Sequence, residues 1–177
     1  MSKIIAIDAG TTESGYVVFN KKPLGIIDKG KISNEELLQK LIEKKYEYTI
    51  LEMVQSYGMA VGNTVFETCV WIGRFIQANA KTYCKRYYRK EPKVYFASST
   101  KVNDKILRSI MIDIWGNKGT KKKPGGTYGF TKDAWQALVI GTLFIAKSKK
   151  LEYVGGGIFY NTNKKRKENI KGEVKND

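Results

Sequence analysis

Two apolar runs, each tied to a single acid, constrain the fold of this chain more than any other feature. Lys3-Ile4-Ile5-Ala6-Ile7-Asp8 is apolar up to its closing aspartate, and Tyr48-Thr49-Ile50-Leu51-Glu52-Met53-Val54 carries a glutamate inside it. Runs of this length and composition read as central, buried strands. Between them lie two further strands, Ser14 to Asn20 and Leu24 to Ile32. The break at Lys21-Lys22-Pro23 is short enough for a hairpin. Ser33-Asn34-Glu35-Glu36 then forms a capping box ahead of Leu37, Leu38, Leu41 and Ile42 at helical spacing, and this helix should end near Lys44-Lys45.

Past the second run, Gln55 to Asn63 reads as a glycine-containing loop that carries Tyr57. Thr64-x-x-Glu67 looks like a second capping box, opening a long helix to about residue 86 whose apolar residues occupy more than one face. Such a helix should be covered by the sheet on one side and by something else, such as a second subunit, on the other. Lys93 to Ala97 (KVYFA) is the expected fifth strand and Asn103 to Trp115 a further helix. Gly116 to Phe130 reads as a mobile, basic, glycine-rich loop, and Thr131 to Ser148 as a last helix with Thr131 at its N-cap. From Tyr153 onward, a glycine run and a Lys- and Asn-rich composition imply weak order. The expected organisation is therefore a folded domain over residues 1–150 and a basic tail over 151–177. The element order predicts an α/β fold with a five-stranded mixed sheet flanked by helices. Its first three strands form an antiparallel meander, and the next two return parallel to the first by right-handed crossovers. That is the connectivity of a ribonuclease H-like sheet.

Composition narrows the chemistry. With 177 residues there is room for one ordinary domain with a real core. Lys and Arg number 32 against 17 Asp and Glu, a formal charge of +15, so a polyanionic partner is expected and nucleic acid comes first. No amphipathic anchor or lipidation motif argues for a membrane partner, and no apolar stretch is long enough for a helical span. Histidine is absent, which excludes Ser-His-Asp and Cys-His mechanisms and His-ligated zinc. Cys69 and Cys84 read as lying on one helix, too far apart to pair. Reduced thiols and an N-terminal apolar run too short for a signal peptide point to the cytoplasm. Hydrolysis by such a chain has to rely on carboxylates, lysines or hydroxyls, and carboxylates with Mg²⁺ are the direct solution.

If the two central strands are neighbours, they lie about 4.8 Å apart, and Asp8 and Glu52 can share a site. Asp133, in the first turn of the last helix, can close that site from beside the sheet. Each acid also has a structural reading. Asp8 ahead of Ala9-Gly10 can be an Asx-type turn former, and Asp133 gains from the helix dipole wherever it points. Glu52 can be an edge-facing or lysine-paired glutamate, but an unpaired charge in so apolar a strand is costly and most needs a reason. Two strand ends and a helix start are what a shared metal site needs.

These residues carry a family resemblance. Ile4-Ile5-Ala6-Ile7-Asp8-Ala9-Gly10-Thr11-Thr12, followed by Gly15, resembles the first motif of RuvC-type Holliday-junction resolvases. Ile50-Leu51-Glu52 and its loop are similar to their second motif, and Asp133-Ala134-Trp135-Gln136-Ala137-Leu138-Val139-Ile140-Gly141 resembles their last, acid-bearing helix. Gly119 through Gly125 with Tyr128-Gly129 is most similar to phage-encoded members. The likeness spans residues 3–147. It implies a homodimer that cuts symmetrically across a four-way DNA junction, in the host cytoplasm if phage-encoded. Asp8, Glu52 and Asp133 would be its catalytic, metal-holding residues, with Mg²⁺ (Mn²⁺ as a substitute) and two ions per site. Bacterial members commonly carry a further acid one helical turn after the position matched by Asp133. This chain has Gln136 there, which can ligate only weakly and brings no charge. The other register, with Asp133 at the later position, would leave Phe130 at the earlier one and lose the match at Ala137-Leu138.

Lys121, Lys122 and Lys123, with Lys101 and Lys105, are the expected phosphate contacts; a solvated surface run is the alternative. Lys81, Lys85, Arg86, Arg89 and the tail lysines from Lys164 to Lys167 extend the basic surface. Tyr57 can stack on an unpaired base at a junction or pack within its own loop. Trp71 and Phe75 read as core or dimer interface. Two rival functions stay open. A branched-DNA-binding protein without cleavage is kept alive by Gln136. An actin-like-fold phosphotransferase is suggested by Asp8-Ala9-Gly10-Thr11-Thr12-Glu13-Ser14, which also resembles the phosphate-binding opening of actin-like sugar kinases. Those enzymes need two such domains and a second phosphate motif, and neither is evident.

Overall fold

The structure is a computed structural model that describes residues 2–43, 46–56, 58, 60–80 and 82–161. Its organising element is β1 (Lys3–Asp8), which pairs antiparallel with β2 (Glu13–Lys21) and parallel with β4 (Tyr48–Met53). With β3 (Leu24–Ser33) and β5 (Tyr83–Tyr88) the five strands lie in the order β3-β2-β1-β4-β5. The mixed sheet expected from the sequence is present, with the meander and the parallel return of β4 where expected, but its fifth strand comes from a different segment.

Strand alternation sorts the side chains into two cores, because successive residues point to opposite faces. Ile4, Ala6, Val17, Phe19 and Ile50 pack on one face against α5 (Lys132–Ser148), with α3 (Lys90–Ala97) and α4 (Asp104–Trp115) completing that layer. Ile5, Ile7, Tyr16, Val18 and Leu51 pack on the other, against α1 (Asn34–Glu43) and α2 (Asn63–Ala78). The result is three layers, helices on both faces of one sheet. Among the described residues no helix is long and apolar enough to cross a membrane.

The Ser33 capping box forms as written in the sequence. Ser33 N–H donates to Glu36 Oε2 at 3.0 Å, and Glu36 N–H donates to Ser33 Oγ at 3.2 Å. The second expected box does not. Helix α2 starts at Asn63 behind Gly62, with no side-chain cap, and Thr64 lies inside the first turn. This helix also stops at Ala78 instead of near residue 86. Buried Asn79 caps it and donates from Nδ2 to Thr49 Oγ1 at 2.9 Å, while Thr82 Oγ1 donates to the Asn79 carbonyl. Cys84 therefore lies in β5 and Cys69 in α2, and both are free thiols.

The fifth strand is Tyr83–Tyr88, and the segment expected to be a strand, Lys93 to Ala97, is part of α3. Proline is tolerated in the first turn of a helix, and Pro92 and Phe96, one turn apart, are the residues α3 buries. Val94 is left exposed, which an alternating strand reading does not anticipate. Residues 151–161, read in the sequence as the start of a weakly ordered tail, form a hairpin of β6 (Leu151–Gly155) and β7 (Ile158–Asn161). Tyr153 packs its ring against Phe96, and the Tyr95 hydroxyl donates to the Leu151 carbonyl. The rest of that tail, with its lysines, lies outside the described residues.

The glycine-rich stretch before α5 is a folded turn rather than an open loop. Gly125 N–H donates to the Lys118 carbonyl, and buried Thr127 bonds through its hydroxyl to Gly116 and through its N–H to Asn117. A Cβ on Gly126 would fall on the Trp115 carbonyl oxygen, so glycine is what lets the turn fold back on α4.

Helix α5 buries twelve of its 17 residues, and its start rests on β2. A Cβ on Gly15 would sit 2.4 Å from the Asp133 carbonyl carbon and 2.8 Å from Ala134 N. Gly15→Ala is therefore expected to destabilise the protein by roughly 1–3 kcal/mol through overpacking, read as a lower urea midpoint. An unchanged midpoint would show that α5 does not press on β2 at this point.

Candidate active site

The register of β1 against β4 sets Ile7 opposite Leu51, so Asp8 and Glu52 occupy the next, adjoining positions on neighbouring strands. By alternation both emerge on the face of Ala6 and Ile50, the face that α5 covers. Asp8 pairs with Gly15, against which the backbone of Asp133 is pressed, so the third acid arrives on the same side. Asp8 and Asp133 line one cleft of about 250 Å³ together with Gly10, Thr11, Glu13 and Lys31.

The turn forming one wall of this cleft is fixed by a buried polar network. Gly10 N–H donates to Ser14 Oγ at 3.2 Å, Ser14 Oγ donates to Asn34 Oδ1 at 2.5 Å, and Asn34 Nδ2 returns a bond to the Gly10 carbonyl at 3.0 Å. Asn34 N–H also donates to the Thr12 carbonyl. Ser14 and Asn34 are both fully buried, and with every named bond made the network holds residues 10–14 rigidly.

The acids oppose one another's ionisation. Burial first, then the charges of Glu52 and Asp133, push the Asp8 carboxyl up from its ordinary 3.8 to about 8. Burial also raises the Glu52 carboxyl, and Asp104 adds to that, while the Arg89 guanidinium works in the opposite direction. The protein's own cations go to the neighbours of Asp8. Lys31 Nζ sits 3.1 Å from Asp133 Oδ2 and 3.0 Å from Glu13 Oε2. Arg89 reaches Glu52 Oε1 at 3.5 Å and Asp104 Oδ2 at 2.5 Å.

Lys31, Arg89 and Asp104 are the residues that sequence reasoning missed in this role. Arg89 reads in the sequence only as one basic residue among several, and nothing there singles out Asp104, which follows the N-cap Asn103 in the first turn of α4. Lys31 is brought to the cleft by its pairing with Gly15.

Among the described residues no group of three acids or thiols stands close enough to hold a metal ion as placed. What is present is a pair of acids at adjoining strand ends, with a third across Gly15 turned onto Lys31. These are hard oxygen donors that disfavour their own joint charge, a set chemically suited to Mg²⁺ or Mn²⁺. Gln136 lies one helical turn beyond Asp133, half-buried on α5. Tyr57 lies outside the described residues, as does Lys81. Lys101 and Lys105 are exposed on either side of Asn103, and neither lines the second cleft, that of Arg89, Lys90, Lys93 and Thr100. Lys121, Lys122 and Lys123 are exposed at the tip of the folded turn and line neither cleft.

No family model matches the sequence, and no curated protein sequence matches it. Solved structures do match in fold. A structure of Thermus thermophilus RuvC superposes with a TM-score of 0.62 at 15% identity, covering 82% of this chain and 95% of that one. T. thermophilus RuvC in complex with Holliday junction substrate superposes with a TM-score of 0.61 at 13% identity, covering 79% of this chain and 90% of that one. At such identities the likeness is one of fold: the ribonuclease H-like α/β architecture is shared across nearly the whole of those chains.

An acid whose carboxyl is raised in the folded state stabilises that state while protonated, and the contribution is lost as pH rises through about 8. In EDTA, Asp8→Asn should therefore melt higher than the unmodified protein at pH 8.5, by about 4 °C or more, the equivalent of roughly 1–2 kcal/mol. The gap should shrink steadily as pH falls and close only near 3.8, where the carboxyl is protonated in the unfolded chain as well. A gap independent of pH would show that Asp8 carries no such burden.

Proposed function

We propose that this chain is a metal-dependent endonuclease that resolves four-way (Holliday) DNA junctions, and acts on other branched DNA, by phosphodiester hydrolysis. The observation that carries this reading is the pairing of Asp8 with Glu52 at adjoining strand ends, with Asp133 beside Asp8, on a scaffold shared with a protein solved on a Holliday junction. The formal charge of +15 supports a polyanionic substrate.

In this reading Asp8, Glu52 and Asp133 are the catalytic carboxylates, with Gln136 as a weak fourth ligand and two ions per site. Mg²⁺ held there, or Mn²⁺ in its place, would supply the positive charge needed to activate water and stabilise the leaving oxygen. The side chains do the positioning. Asp133, now on Lys31, and Glu52, now on Arg89, would turn to hold the ion. The Ser14–Asn34 network holds the turn at the cleft mouth so that Asp8 keeps its direction. Lys101, Lys105, Lys121, Lys122 and Lys123 meet the DNA backbone, and Tyr57 stacks at the branch point.

A homodimer is part of the proposal, because resolution needs two cuts. Helix α2 supports it: Trp71, Ile72 and Phe75 are buried, while Phe66 and Val70 remain 56% and 57% exposed on its outer side. Next to them, a Cβ on Gly73 would meet nothing within 4 Å. An apolar stripe flanking a glycine is a surface on which a second copy of the helix can sit.

Two experiments test the reading. A synthetic four-way junction with Mg²⁺ should be cut symmetrically by the unmodified protein, whereas Asp8→Asn and Glu52→Gln should each lose activity by about 100-fold or more while still binding. Binding without cleavage by the unmodified protein would make it a junction-binding protein, and ATP turnover with a small acceptor would move it to the phosphotransferases. Phe66→Glu with Val70→Glu should convert the dimer to a monomer by light scattering; a mass equal to that of the unmodified protein would remove α2 as the interface.

A further inference from the structure

Arg89 stands at the boundary between two opposite environments. It follows β5 directly and precedes α3. On one side its Nη1 is 3.5 Å from the carboxylate of Glu52, whose side chain is 12% exposed. That distance is the outer limit of a hydrogen bond, so the contact is weak. On the same guanidinium, Nη2 is held at 2.5 Å by Asp104, which is 41% exposed and anchored in the first turn of α4. On the open side Arg89 lines a cleft of about 300 Å³ with Lys90, Lys93 and Thr100: three cations and a hydroxyl. Lys93 also helps to favour the charged form of Glu52, so the cleft and the acid feel each other's field.

We propose that Arg89 is a two-position residue, a counter-ion for Glu52 in the metal-free protein and a ligand for a DNA backbone phosphate in the loaded one. This rests on the metal-dependent nuclease reading above. A planar guanidinium has five N–H donors and matches a phosphate with two of them. Asp104 engages one edge in both states and acts as the positioning residue. When a divalent cation takes Glu52, the weak contact becomes repulsive and Arg89 turns about its Asp104 anchor into the cleft. When a phosphate enters the cleft first, it draws Arg89 away and leaves Glu52 free for the cation. Metal and DNA therefore bind with positive, reciprocal coupling, transmitted by one side chain.

The test uses the full chain and two binding readouts, neither of which requires turnover. Mn²⁺ affinity is measured without DNA, and four-way-junction affinity is measured in Ca²⁺ and in EDTA over a range of salt. Arg89→Ala should bind Mn²⁺ about two- to fivefold more tightly, because a competing cation is gone. The same variant should bind the junction about tenfold more weakly, with a salt slope shallower by about one. Its junction affinity should no longer respond to the divalent cation. Arg89→Lys keeps the charge without the fork, so it should keep the unmodified Mn²⁺ affinity but not recover the junction. Lys93→Ala should weaken the junction and raise Mn²⁺ affinity less than Arg89→Ala does, because its charge acts on Glu52 only through the field of the cleft. A purely structural role for Arg89 predicts that both affinities fall together with the melting temperature, and that result overturns the proposal. So does an Arg89→Ala protein that matches the unmodified one in Mn²⁺ affinity and salt slope. An unmodified protein that binds neither Mn²⁺ nor the junction would instead remove the nuclease reading itself.

Discussion

Parallel pairing of β1 with β4, in the register that sets Ile7 against Leu51, decides where both cores and both strand acids lie. Shifting either strand by one residue would turn its acid to the opposite face and its core residues with it. In the register observed, Ile5, Ile7 and Leu51 feed the core under α1 and α2, while Ala6 and Ile50 feed the core under α5. Asp8 and Glu52 are then carried, side by side, to the end of the face that α5 covers. The apolar pattern that drives the strands together is the same pattern that forces two acids into proximity.

Proximity has an electrostatic cost, and the chain answers it with its own cations on either side. Lys31 bridges Asp133 and Glu13, and Arg89 bridges Glu52 and Asp104. The remaining acid, Asp8, holds its proton to about pH 8 because burial and its neighbours leave it little choice. In the proposed nuclease a small, hard cation would take over the compensation that protons and basic side chains now provide. Gly15 contributes by being small: it lets α5 bring Asp133 down to the sheet without displacing the strand.

Much of this was legible in the sequence because it follows from short-range patterns. Unbroken apolar runs marked β1 and β4, the hairpin break separated β2 from β3, and the Ser33 box marked α1. The three acids stand out in the sequence because Asp8 and Glu52 end or interrupt an apolar strand and Asp133 opens an apolar helix. The failures share one cause, tertiary context overriding local composition. KVYFA has strand-forming residues, but Pro92 and Phe96 are one turn apart and the core takes that helical face. Tyr83–Tyr88 looked like the end of a helix, because the buried Asn79 bond to Thr49 that terminates α2 is long-range. Lys31 was hidden by a register shift between Val18 and Phe19, which sets Lys31 opposite Gly15 where simple hairpin counting pairs Gly15 with Gly30. Asp104 and Arg89 meet Glu52 only through the fold, and no spacing in the chain announces them.

The proposed nuclease requires the Asp8–Glu52 pair, set side by side by strand register, to hold a divalent cation. Anomalous diffraction from crystals grown with Mn²⁺ tests it most directly. The expected result is a peak between the Asp8 and Glu52 carboxylates, with Arg89 withdrawn from Glu52 and Lys31 released by Asp133. A strong peak elsewhere, with Arg89 still on Glu52 and no density between the two acids, would contradict it.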